Sequence, residues 1–419
     1  MCLLPAGVIL FMTGCEYDGP TAVYDQPYSQ ATPPVIDAIE PAEAAGGVNL
    51  ITITGQNFSE NSDDNRVYIS NIYYEGNEKK TRAEKAEIVD FSTTSISIRR
   101  PGLFGDSTVV KVVNYQAHVY DSLYPYRITQ PYELYGGFTI TGNQLDAVAV
   151  DQDENLYVVQ RSGPRMVYKV SPGGEKTELG DQGTNITDAM LAPDGNLVLL
   201  TGRSTVVKMD VTTGVPEDWY MFSSSRTRVK FGDFDSYGNL ITAGTKTGLI
   251  ALKPDMTEGL IDDYSDFDIL DVRVYQGAVY VLAENTSPDT LDPVLAPEIG
   301  IWRNTTAADP GSFGEKELVL DWATTGSYDS SGVYDMTFSS DGTLIVCTDN
   351  TDPVLLYDLE SDTHETFYKS ILPSSMVHAV WGQGNHLYMI QFLEEGDTRK
   401  WDLYKVDMGT TGAPYYGRP

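Results

Sequence analysis

Asp146-Ala-Val-Ala-Val150, Asp188-Ala-Met-Leu-Ala192, Lys230-Phe-Gly-Asp-Phe234, Asp271-Val-Arg-Val-Tyr275, Asp335-Met-Thr-Phe-Ser339 and His378-Ala-Val-Trp-Gly382 align without gaps. Most pass through a short turn, such as Pro193-Asp-Gly-Asn196 or Asp235-Ser-Tyr-Gly-Asn239, into a second apolar run. Those runs are NLYVV, NLVLL, NLITA, AVYVL, TLIVC and HLYMI, beginning at Asn155, Asn196, Asn239, Ala278, Thr343 and His386. Each pair reads as a β-hairpin. The first residues are spaced 42, 42, 41, 64 and 43 apart, so the unit occurs six times. A period of about 42 residues filled with short strands belongs to a β-propeller blade and not to a helical solenoid.

A third strand recurs as MVYKV, VVKMD, GLIAL, GIWRN, VLLYD and DLYKV, ending at Val170, Asp210, Leu252, Asn304, Asp358 and Val406. After the last of these only residues 407–419 remain, so the sixth blade lacks an outer strand of its own. Tyr132 to Ile140, which precede the first repeat, are the expected replacement and would close the ring, removing its free edges. The long spacing predicts insertions at Glu284 to Glu298 and Thr305 to Gly314. The region resembles six-bladed NHL-like propellers, with that consensus loosely met.

Outside the repeats, ITITGQNF (Ile51–Phe58), RVYIS (Arg66–Ser70), AEIVDFS (Ala86–Ser92), TSISIRRP (Thr94–Pro101) and STVVKVVN (Ser107–Asn114) alternate apolar and polar residues. They predict strands of a two-sided antiparallel sandwich. Pro34-Val-Ile36, Ile39-Glu-Pro41, Gly47 and the run from Ile51 to Phe58, followed by the later strand and its Pro, resemble the IPT/TIG immunoglobulin-like family. That resemblance implies a spacer or a module that contacts proteins or sugars. The fold expected is all-β, with an IPT/TIG-like sandwich over residues 33–130 and a six-bladed β-propeller over 131–419.

The N-terminus reads differently. Leu3 to Met12 is uncharged and too short to span a bilayer, but suits the apolar core of a signal peptide. It ends in Met12-Thr-Gly-Cys15, which resembles a bacterial lipobox. The resemblance implies a signal peptide at 1–14, lipidation at Cys15 and a tether at 15–32, which at about 3.3 Å per residue reaches some 55 Å. No Lys or Arg precedes the apolar stretch, which points to a true start upstream of Met1. The acids Glu16 and Asp18 resemble the surface-export signal of Bacteroidota lipoproteins. Lipoproteins with this domain pair are typical of nutrient-uptake loci in that phylum, which implies an outer-membrane, cell-surface location and a TonB-dependent transporter complex as partner.

Composition narrows the partners. The 419 residues carry 28 Lys+Arg against 60 Asp+Glu, a net charge of −32, which repels nucleic acid and anionic membrane. Membrane contact is therefore expected through the lipid anchor alone. Three cysteines are too few for a disulfide framework.

In a propeller the equivalent first residues of the innermost strands surround the channel mouth. Here they are Asp146, Asp188, Lys230, Asp271, Asp335 and His378. Two readings follow. Clustered carboxylates with a His suit Ca²⁺ or a transition metal, or seat a polar ligand. Alternatively they accept hydrogen bonds from neighbouring backbone and stitch the blades together, a reading favoured by the Lys, which opposes a cation.

The Asp-rich turns, Asp151-Gln-Asp-Glu-Asn155 foremost, lack the spacing of a calcium loop and read as ordinary turns. Ser340-Asp-Gly-Thr343 weakly resembles a sialidase Asp-box. None of His118, His364, His378 and His386 sits in a hydrolase motif, and Cys347 lies in an apolar strand as a core thiol. For binding, Trp322, Tyr328 and Asp329 occupy the long loop between blades four and five. Arg161, Arg165, Arg203, Arg226 and Arg228 fall in loops on the same side, and aromatic rings with Arg partners hold sugars and peptides. Trp219, Trp302, Trp381 and Trp401 read as core, while Tyr73 and Tyr74 remain open. The expected function is a non-catalytic surface lipoprotein that binds a glycan or peptide or docks on a transporter. A metal-dependent propeller hydrolase or lyase and a scaffold are the alternatives.

Overall fold

The computed structural model describes residues 31–75, 78–117, 123–138, 140–141, 144–161, 165–224, 227–287, 297–305 and 313–417. The expected signal peptide, Cys15, nearly all of the expected tether, Arg226 and His118 lie outside the described residues.

Residues 35–128 form a sandwich of two four-stranded sheets. One runs in the order Val35–Glu40, Leu50–Gln56, Ser95–Arg99, Ile88–Phe91; the other in the order Glu78–Lys85, Asn65–Glu75, Gly105–Asn114, Tyr124–Ile128. The alternation places Ile51, Ile53, Val67, Ile69, Ile96, Ile98, Val110 and Val112 between the sheets.

Residues 132–407 form a six-bladed β-propeller. Five blades are four-stranded antiparallel sheets in simple up-and-down order. The innermost strands are Leu145–Val150, Asp188–Leu191, Phe231–Phe234, Phe267–Tyr275, Val333–Phe338 and Met376–Trp381. Each touches the next, and the sixth touches the first. Every blade is covered on both faces by its neighbours, so six apolar clusters lie between consecutive blades. Runs such as LVLL (Leu197–Leu200) and LITA (Leu240–Ala243) are therefore buried at every residue instead of alternating.

The sixth blade closes as expected. Tyr132–Leu134 pairs with Val406 to Tyr404, and Ile140–Thr141 pairs with Trp401 and Lys400. The Asp-rich hairpin turns are Asx turns, not calcium loops. Asp151 accepts from the N–H groups of Asp153 and Asn155 at 2.9 and 2.8 Å, and from Asn155 Nδ2 at 2.9 Å, while Asp235 repeats the pattern with Tyr237 and Asn239.

The sandwich is docked on the propeller. Buried Arg100 stacks on the Tyr368 ring at 5.3 Å and donates to the carbonyls of Ala45, Val48 and Thr129. Tyr368 Oη accepts from the Gly47 N–H and donates to the Asp407 carbonyl. Lys369 pairs with Glu87 at 3.1 Å.

Candidate functional site

The channel holds a buried ionic cluster. Asp188, Asp233, Asp271, Asp335 and His378 are all buried, because alternate residues of an innermost strand point inward. Each carboxylate spends an oxygen on the next blade. Asp188 accepts from Gly232 N–H at 3.1 Å, Asp233 from Val274 at 2.8 Å, Asp271 from Met336 at 2.9 Å and Asp335 from Ala379 at 3.0 Å. His378 completes the round, with Nε2 facing the Val148 carbonyl of blade one at 3.4 Å and Nδ1 2.5 Å from Asp335.

Arg273 stands among these acids, pairing with Asp271 at 2.8 Å and Asp335 at 2.9 Å. Burial pushes the carboxyls of Asp188 and Asp271 up, and that of Asp233 to about 6, against the pull of Arg273. Asp335 differs: against its burial, Arg273 and His378 hold it below the usual range. The His378 imidazole is in turn raised, its burial outweighed by the Asp335 carboxylate. Sequence reasoning missed Arg273 and Asp233. The available signal was a charged residue inside an innermost strand: Arg273 lies two positions after Asp271 and so shares its face.

The other expected ring members lie apart. Asp146 pairs with Arg161 at 2.8 Å, and burial raises its carboxyl to about 6 against that partner. Lys230 stands before the strand that it was expected to open, and pairs with Asp268 at 2.8 Å; Asp233 takes the inward place in blade three. Arg203 is exposed, its backbone bridged to Val229, and Arg161 also reaches the Ile186 carbonyl.

The aromatic platform is corrected. Trp322 and Tyr328 are 1% and 2% exposed. Trp322 Nε1 donates to the Tyr328 carbonyl at 2.8 Å and Tyr328 Oη to Thr366 at 3.2 Å. Both rings extend the core between blades four and five, because the two 3₁₀ turns at Trp322–Thr324 and Gly326–Tyr328 fold them inward. They build the loop and present no ring to solvent.

A cation does not fit this donor set. The Arg273 guanidinium occupies the centre of the carboxylates, and among the described residues no group of three or more His, Cys, Asp or Glu is arranged to hold a metal ion. The cavity beside the cluster is about 70 Å³, room for a few waters and not for a sugar ring. A larger, open cleft of about 560 Å³ lies where the blade-four-to-five loop, blade five and the sandwich meet. It is lined by Arg99, Ser327, Asn350, Asp352, His364 and Lys369 among others.

Residues 34–128 match the IPT/TIG domain family. The sandwich is IPT/TIG-like. The match assigns this domain and leaves the propeller to its structure. No curated protein matches the chain. Among solved structures, a luciferin-regenerating enzyme is similar at 13% identity and a TM-score of 0.52, covering 68% of this chain and 98% of its own, which supports the propeller fold alone. An auxiliary nutrient binding protein from Bacteroides thetaiotaomicron aligns at 9% identity, 89% and 98% coverage and a TM-score of 0.48. A gluconolactonase from Xanthomonas campestris aligns at 12%, 64% and 88% coverage and 0.47. Among the described residues, no helix is long and apolar enough to cross a membrane.

Proposed function

We propose that this protein is a non-catalytic cell-surface lipoprotein that binds a glycan or peptide, or docks on a TonB-dependent nutrient-uptake transporter, through the loop side of the propeller. The observation that carries the reading is the open cleft of about 560 Å³ at the junction of the sandwich, blade five and the blade-four-to-five loop. Clefts between domains are where ligands are usually held. Its walls mix donors and acceptors, Arg99, Asn350, His364 and Lys369 with Asp352 and Glu365, which is the chemistry a polyhydroxylated ligand needs. The ring carboxylates, Arg273 and His378 serve the fold, since their polar atoms bind one another and neighbouring backbone. Cys15 is the proposed lipidation site and the outer membrane the proposed location.

Titration of oligosaccharides released from host and plant polysaccharides against the purified protein tests the ligand site. Saturable binding that falls at least tenfold in both His364→Ala and Lys369→Ala is expected. Binding that neither substitution changes would move the site away from the cleft. For the anchor, metabolic labelling with a clickable palmitate should mark the wild type and leave Cys15→Ala unmarked.

A further inference from the structure

Past the sixth blade the chain stays on the propeller. Gly409 to Gly417 run across the channel at its turn end, opposite the loop side, and Ala413, Pro414 and Tyr415 wall the small cavity there. The contacts are those of a bound peptide. Ser340 N–H donates to the Thr411 carbonyl at 2.8 Å and Ala413 N–H to the Phe338 carbonyl at 2.9 Å, making a short antiparallel bridge to blade five. Gly412 lies flat on Trp381, where a Cβ would stand 2.3 Å from the indole. The Tyr415 ring packs against the clusters of blades one to three and its hydroxyl donates to the Leu191 carbonyl at 2.8 Å. Tyr416 packs against the clusters of blades two to four.

Two main-chain bonds, two aromatic anchors in grooves between blades and a glycine at the tightest contact form a recognition mode for extended polypeptide. The segment GTTGAPYYG is uncharged in a chain of net charge −32, so the grooves select apolar and aromatic groups and not ion pairs. It is joined to blade six through Gly409, whose φ of +68° turns the chain onto the channel, and whose backbone lies against Gly46 and Gly47 of the sandwich.

We propose that the turn end of the propeller is a recognition site for an extended, uncharged peptide of small residues, Pro and two aromatic residues on a partner protein, and that residues 409–417 fill it in cis as an autoinhibitory strap. A tethered segment competes at an effective concentration on the order of millimolar. A partner therefore engages only when the strap is loosened or its peptide is abundant. This site is separate from the junction cleft and stands or falls independently of it.

Fluorescence anisotropy with a labelled TTGAPYYG peptide tests the proposal on the full chain and on its Tyr415→Ala/Tyr416→Ala variant. The variant should bind the peptide one to one, with a scrambled peptide inert and the intact chain at least tenfold weaker. A folded variant with no saturable binding overturns the proposal, as does equal binding by the intact chain. Dimers held by exchanged straps would overturn it too, by making a second copy the occupant. If the variant does not fold, a chain ending at Gly409 takes its place. Failure of both to fold would show the strap to be part of the core and not an occupant, and would equally overturn it.

Discussion

Arg273 carries more of this molecule than its position in a sequence suggests. Its guanidinium compensates Asp271 and Asp335 at once, and both carboxylates are buried. Removing one partner of a buried ion pair leaves an uncompensated charge and costs about 3–5 kcal/mol. Arg273→Met should lower unfolding free energy by that amount in urea titrations at pH 7. Adding Asp271→Asn in the same background should recover part of the loss, because the sites are coupled; strict additivity would refute the pairing. Asp233 gives a pH signature of defined sign. Its carboxyl titrates near 6 when folded and near 3.8 when not, so between those values the folded chain holds a proton that the unfolded chain has released. Raising the pH through that window costs stability, up to about 3 kcal/mol for a shift of about two units. Asp233→Asn still offers an acceptor to Val274 but does not titrate. It should lose less stability than wild type between pH 4 and 7, and parallel pH profiles would count against a buried ionisable Asp233. At this scale the sequence was only half legible. A ring of acids followed from the repeat, but the inward place of blade three went to Asp233 and not Lys230. Residue type also did not reveal that Trp322 and Tyr328 turn inward, because a loop's polarity is silent about which way two 3₁₀ turns fold it.

Blades were the most legible elements, since being covered on both faces converts strands into continuous apolar runs that repeat. The closing segment was also readable, from a count: three strands in the sixth repeat and a strand-like stretch before the first. Its contribution can be measured. Glu133 lies opposite Lys405 in the closing pair, flanked by the bonds Asp407 N–H to Pro131 and Tyr135 N–H to Leu403. Glu133→Pro should unseat this strand and cost about 1–3 kcal/mol, the value of losing a ladder bond and leaving its partner unmet. Hydrogen exchange should rise in Leu403–Val406 and stay unchanged in blade three; exchange that is unaltered in both would mean that the closing strand is dispensable.

In the whole molecule the sandwich is packed on the propeller, and this was not legible at all, because a docking surface leaves no period. Gly47 has φ +79°, and a Cβ there would lie 2.6 Å from the Met408 carbonyl. Gly47→Ala should therefore separate sandwich from propeller and split one calorimetric transition into two. Gly183 has φ +73° with open space around it, so Gly183→Ala carries the conformational cost of about 1–2 kcal/mol without the collision and should keep one transition. Two transitions in both, or one in both, would deny the junction its role.

The pairing of Leu134 with Tyr404 also sets a schedule. The sandwich strands all precede residue 129, so that domain can fold while the rest of the chain is still being synthesised. The propeller cannot finish, because the partner of its first strand arrives almost last, and such distant pairings form slowly. Until then five blades stand in an open arc with an unsatisfied edge at each end. An interrupted chain would expose those edges to proteases and to its own copies, so this protein's yield depends on synthesis being completed and not merely begun.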